Sequence, residues 1–173
     1  MNCLSCQNEL PTKLGYLSNA ERYCKHCFIH IVEKRVRKYI REHAKLKKDQ
    51  RIVAADQLSN YFAQHVIHVP IMLLKKPVKN SDTRITLRTL NDIVVEFLEH
   101  FFLGKKKQKK QKNELSLFQT LTDEELLLYC AYKELKFSPK KHKLKEFIRK
   151  LEQEHPGTLH SMYKSAKELD NII

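Results

Sequence analysis

Cys3-Leu-Ser-Cys6 and Cys24-Lys-His-Cys27 are two CxxC pairs within the first 27 residues, and no other feature limits the folding of this chain as much. Thiolates three residues apart on a tight turn point the same way. Two such turns close a tetrahedron around an ion that takes four soft ligands. Pro11 and Gly15 punctuate short pieces between the pairs, such as Leu14 to Leu17, as expected of a zinc ribbon or knuckle. The start, Met1-Asn2-Cys3, carries no basic, apolar leader. A cytoplasmic or nuclear, reducing setting is therefore expected, and disulfides are disfavoured there. The expected cofactor is structural zinc on Cys3, Cys6, Cys24 and Cys27. Such a site is closed and has no catalytic vacancy, with His26 and His30 as bystanders.

The second pair runs straight into "FIHIVEKRVRKYIREH". Ile29, Val32, Val36 and Ile40 follow helical spacing and predict an apolar stripe. Lys34, Arg35, Arg37, Lys38 and Arg41 fall largely off it. They are candidate phosphate contacts, and the same pattern also suits a solvated helix face. Charge bears on the choice: 33 Lys and Arg against 20 Asp and Glu give a formal charge of +13, which favours a polyanionic partner, nucleic acid above all. An apolar content of 42% suffices for a core, 173 residues suit one domain with an appendage, and no apolar run is long enough to span a membrane.

Further along, residues 51–55 predict a short buried strand, 58–68 a helix stopped by Pro70, and 71–74 a second strand. Thr89 to Leu103 reads as a helix whose face is Leu90, Ile93, Val94, Phe97, Leu98, Phe101 and Phe102, capped by Gly104. "KKKQKKQKN" at 105–113 is a low-complexity cationic linker. After an extended 114–118, Thr122-Asp123-Glu124-Glu125 has the form of a capping box. It opens a helix with Leu127, Leu128, Ala131 and Leu135. Another carries Leu144, Phe147, Ile148 and Leu151, and the last carries Leu159, Met162, Tyr163, Ala166 and Leu169. Strands alternating with helices predict a helix-rich α/β fold on a parallel sheet. The expected division is a ribbon at 1–28, a basic helix and α/β core at 29–104, a linker at 105–113 and a C-terminal helical part at 114–173. Whether 56–88 builds a complete layer is left open.

The order of the CxxC…YCKHCF ribbon, the basic helix, the RIVAA strand, "LFQTLTDEELLLYCAYKELKF" and "LKEFIRKLEQEHPGTLHSMYKSAKEL" resembles the cytosolic tRNA wobble-uridine 2-thiolation proteins. The resemblance covers residues 3 to about 55, loosely 89–104, and 115–169. It implies a zinc ribbon ahead of a reduced ATP-pyrophosphatase-like (adenine nucleotide alpha hydrolase-like) domain. Active members of that family place a glycine-rich SGGxDS-type loop after the first strand, where backbone amides cradle ATP phosphates. Here the same place reads Asp56-Gln57-Leu58-Ser59-Asn60-Tyr61-Phe62, and the chain has only three glycines, at 15, 104 and 157. Active members also carry mid-fold cysteines for persulfide transfer or an iron–sulfur cluster. This chain offers only Cys130, which reads as a packing thiol.

The resemblance, with these departures, therefore implies the non-catalytic subunit family, cytoplasmic tRNA 2-thiolation protein 2, in shortened form. A non-enzyme is expected, paired as a heterodimer with a catalytic thiolation subunit. It would help hold tRNA through Lys34, Arg35, Arg37, Lys38 and Arg41, and meet the ubiquitin-related sulfur carrier system through its partner. The alternatives are a free-standing zinc-ribbon RNA-binding protein and a divergent ATP-dependent tRNA sulfurtransferase.

Overall fold

The structure is a computed structural model that describes residues 2–9, 15–16, 22–44, 46–78, 82–105 and 113–172. At the N-terminus two short strands, β1 (Gly15–Tyr16) and β2 (Arg22–Tyr23), pair antiparallel beside an Asn2–Glu9 bridge. Pro11 and most of the 105–113 linker lie outside the described residues.

The first helix, α1 (Lys25–Tyr39), hangs on the second cysteine pair: Cys24 is its N-cap, and its sulfur accepts from the Cys27 N–H. Phe28, Val32, Val36 and Ile40 recur every four residues, and all are buried, so the apolar stripe begins one residue before the expected Ile29 and packs on the main core. A π-helical turn, Ile40–Ala44, continues it. Next come β3 (Gln50–Val53), α2 (Gln57–His65), β4 (Ile71–Leu74) and β5 (Thr83–Thr86). After α3 (Leu90–Leu103), β6 (Glu114–Ser116) completes a four-stranded sheet in the order β4-β3-β5-β6. Every neighbouring pair in this sheet is parallel.

The described residues of 56–88 thus supply one helix and two strands. The β5 strand escapes prediction because it is short and buries only Ile85 deeply. Side-chain bonds hold it instead: Gln50 to Thr83 at 2.9 Å, Thr86 with Ser116 at 2.7 Å, and Arg51 to Asp82 at 2.8 Å just before the strand.

Three helices close the chain: α4 (Asp123–Lys133), α5 (Lys143–Glu154) and α6 (Thr158–Ile172). Phe62, Phe118 and Tyr129 meet ring to ring at the centre of the main core, each burial contributing roughly 2 kcal/mol. A second cluster joins Leu90, Val94, Val95 and Leu98 of α3 to Ile148 and Leu159. Two faces differ from expectation. Helix α4 buries Leu126, Tyr129 and Cys130, while Leu127 and Ala131 are exposed. The run Leu126-Leu127-Leu128 is apolar on three sides, so periodicity alone does not choose a rotation; the buried capping box of Thr122 and Glu125 does. On α3, Phe101 and Phe102 project past the second cluster and remain mostly exposed.

Candidate functional site

The four cysteines are brought together as their spacing predicts. The Sγ atoms of Cys3, Cys6, Cys24 and Cys27 all lie within 4.8 Å of one another, with Cys6 and Cys24 3.8 Å apart. The turn at Cys3–Gln7 is closed by the Gln7 N–H on the Cys3 carbonyl, which leaves both thiols of the first pair facing α1. Their protons are unequally held. Burial raises the Cys3 thiol, but N–H donation from Cys24, Cys6 and Ser5 outweighs it and brings it down to about 6. Burial, reinforced by its crowded thiol neighbours and opposed by Ser5, pushes Cys27 up to about 12. Four thiols this close cannot all ionise on their own, whereas a cation among them deprotonates coordinating thiols outright. The donor set therefore fits a metal ion, and the site ties the ribbon to the start of α1.

The second place of interest is the carboxyl end of the sheet. Chain order reverses between β3 and β5, which is where open α/β sheets bind ligands. Helix α2 starts there with its free N–H groups, an arrangement that suits phosphate. The Asp56 carboxylate already occupies it, accepting from the Ser59 N–H at 2.8 Å and the Ser59 hydroxyl at 2.6 Å. No glycine stands at this turn. Cys130 is buried in α4 without solvent access, and burial pushes its thiol up to about 12.

Of the five basic candidates on α1 and the turn after it, Arg35 and Arg37 are engaged, and Lys38 only weakly. Arg35 donates to Glu125 at 2.8 Å, Arg37 sits 3.5 Å from Glu33, and Lys38 lies 4.0 Å from Glu42. Lys34 and Arg41 are exposed. Arg35 is a structural cation here, not a spare one: its partner Glu125 is 3% exposed. Sequence reasoning passed over a different group, Lys140, Lys141, Lys143, Arg149 and Lys150, all exposed. The signal was the run "KKHKLKEFIRK", read only for its apolar spacing. Between this loop and α3 lies a cavity of about 540 Å³, lined by Arg88, Asp92, Glu96, Glu99, His142 and Lys145 among others. Its ions mostly neutralise one another, Arg88 with Glu96 and Lys145 with Asp92 and Asp123. No helix among the described residues is long and apolar enough to cross a membrane.

No protein-family model matches the sequence, and no curated protein matches it. Among solved structures, the fold is similar to that of the U34-tRNA thiolase NcsA from Methanococcus maripaludis, determined with its 4Fe–4S cluster. The TM-score is 0.70 at 15% identity, and the match covers 100% of this chain and 88% of that one. The chain thus has a helix-rich α/β fold similar to that of a solved tRNA thiolase, together with an N-terminal four-cysteine group of its own. This corrects the expectation that the chain is not an enzyme: the structure it follows from end to end is a thiolase. The match leaves about an eighth of that chain uncovered, so the two are of similar extent. The missing glycine loop changes one turn within the fold without removing the fold.

Proposed function

We propose that this chain acts in tRNA thiolation as a divergent ATP-dependent tRNA sulfurtransferase, with a zinc ion on its four N-terminal cysteines. The observation that carries the reading is the match of the whole chain to a thiolase fold. In chemistry of this class, the uridine 2-oxygen attacks the α-phosphorus of ATP and pyrophosphate leaves. A sulfide-level donor then adds at carbon 2 and expels AMP together with that oxygen. The switch point between β3 and β5 is the place on this fold for the nucleotide.

Two local features shape how this chain would do it. Asp56 fills the α2 N-terminus, so the phosphates must be held without the amide cradle that a glycine loop provides. Cys130 is buried with its proton firmly held, so the sulfur comes from an external donor rather than from a persulfide on that residue.

The metal is read as a single ion from the spacing. Zinc–sulfur bonds of about 2.3 Å in a tetrahedron place sulfurs about 3.8 Å apart, the separation of Cys6 and Cys24. A cubane gives each thiolate its own iron and spreads the four further apart. Zinc would fix the ribbon against α1 and take no part in sulfur transfer. Partners beyond tRNA, whether a second thiolation subunit or a sulfur carrier protein, would serve as the route by which the donor arrives.

The test is ATP turnover by the zinc-loaded protein. Pyrophosphate release that depends on added tRNA supports the reading. No release, together with no saturable ATP binding at millimolar nucleotide, overturns it.

A further inference from the structure

Residues 136–150 hold seven Lys and Arg and one Glu. Of the seven, only Lys145 turns inward, clamped 2.6 Å from Asp92 and 2.8 Å from Asp123. Lys136, Lys140, Lys141, Lys143, Arg149 and Lys150 are exposed, and among the described residues none of them has an acidic partner. Along α1, by comparison, Arg35 and Arg37 are held against carboxylates, while Lys38 reaches Glu42 only at 4.0 Å with its side chain 66% exposed.

Helix α5 also carries an aromatic ring that the core does not use. It packs inward through fully buried Ile148, with Leu144 and Leu151 beside it. Phe147 lies at the edge of that stripe, about 100° round the helix from Ile148, and is 54% exposed. Lys143, Phe147 and Lys150 fall at i, i+4 and i+7, so the ring lies between two cations on one outer face. Glu146 and Glu154 share that side of the helix, and neither forms an ion pair among the described residues. A lone exposed Phe is ordinary. An exposed ring flanked by cations that form no ion pair among the described residues, on a helix, is an arrangement that stacks a base while holding the phosphates beside it.

We propose that the outer face of α5 and its lead-in loop form a binding surface for single-stranded RNA. Phe147 stacks an unpaired base, and Lys140, Lys141, Lys143 and Lys150 take the flanking phosphates. The choice of RNA as the polyanion rests on the tRNA reading above. The stacking platform stands on Phe147 and its neighbours. Duplex RNA fits this face less well, because its bases are stacked on each other and offer no open face to a ring.

The experiment is fluorescence anisotropy of the full-length, zinc-loaded protein with a labelled 12-nucleotide oligouridylate, and with a duplex RNA for comparison. ATP and sulfur donor are left out, so a failure of thiolation leaves this assay untouched and the reverse also holds. Phe147→Ala is expected to weaken oligouridylate binding roughly tenfold and duplex binding hardly at all. Phe147→Leu, which keeps apolar bulk without a flat ring, should lose as much as Phe147→Ala. Replacing Lys141, Lys143 and Lys150 with Ala together should lower the slope of log affinity against log salt by about two. Unchanged affinity in Phe147→Leu overturns the stacking role, and an unchanged salt slope in the triple variant overturns the surface. Equal competition by polyglutamate would identify an acidic-protein site instead and overturn the RNA assignment.

Discussion

The Arg35 guanidinium donates to Glu125 Oε1 at 2.8 Å, joining α1 to the first turn of α4 across 90 residues of chain. Glu125 uses its other oxygen to accept from the Thr122 N–H and close the α4 capping box. One carboxylate therefore fixes both where α4 starts and how it sits on the basic helix. Arg35→Ala leaves that carboxylate buried without its counter-charge, and should destabilise the fold by about 2 kcal/mol, discounted for the partial exposure of Arg35. Urea unfolding checks the value. Glu125→Gln, which keeps the cap, should recover part of the loss when combined with Arg35→Ala. Additive losses would show that the pair is not coupled.

Asp56 is expected to limit nucleotide binding. Asp56→Asn keeps an N-cap oxygen and removes the negative charge at the α2 N-terminus, so stability should hold and ATP affinity should rise several-fold. Asp56→Ala loses the cap as well and should cost about 1 kcal/mol. Equilibrium ATP binding by the three proteins, beside their unfolding curves, separates charge from capping. Weaker binding by Asp56→Asn would mean that the carboxylate serves the nucleotide rather than opposing it.

Stability should fall on mild acidification, in part through His160. Burial holds its imidazole below the ordinary value, outweighing Glu125, with Arg35 adding to the depression and Glu152 and Lys164 opposing one another. The folded state then binds fewer protons than the unfolded one. Its contribution is intact above the unfolded pKa near 6.5 and is lost as pH drops below that value. Unfolding measured at pH 7.5 and 5.5 should show a smaller difference for His160→Gln than for the parent. An equal difference would remove His160 from the account.

Metal loss should be read first in the ribbon and α1. Cys24 supplies a ligand and caps α1, so Cys24→Ser should abolish stoichiometric zinc in elemental analysis and loosen the first turns of the helix. Faster amide exchange at residues 25–30 than in α5 is the expected pattern. Iron in place of zinc in protein purified without air would contradict the single-ion site.

What the sequence made legible follows from how each feature is encoded. The four-cysteine group is written in local spacing, and α3 and α4 carry capping boxes that need only four residues each. Strand β5 is held by side-chain bonds from Gln50, Arg51 and Ser116, far away in the chain, and offers no pattern of its own. The rotation of α4 could not be read from three successive leucines, because it follows the buried capping box of Thr122 and Glu125, whose carboxylate Arg35 holds from α1. The same contact removed Arg35 from the free cations of α1. The Arg37–Glu33 and Lys38–Glu42 pairs are i,i+4 pairs that local spacing encodes, whereas the Arg35–Glu125 pair depends on a tertiary neighbour and is not written in the sequence around α1. Absence of a glycine loop was legible, but it describes one turn, and the inference from it to a non-enzyme went beyond what that turn determines.

The most direct test of a thiolase role is the product itself. Zinc-loaded protein is incubated with unmodified tRNA, ATP and sulfide, and the tRNA is run on a mercury-containing gel that retards thiolated RNA. The account predicts a retarded band that requires ATP and is absent with the non-hydrolysable analogue cleaved at neither phosphate. Full ATP and tRNA binding with no retarded band at any donor concentration would contradict it.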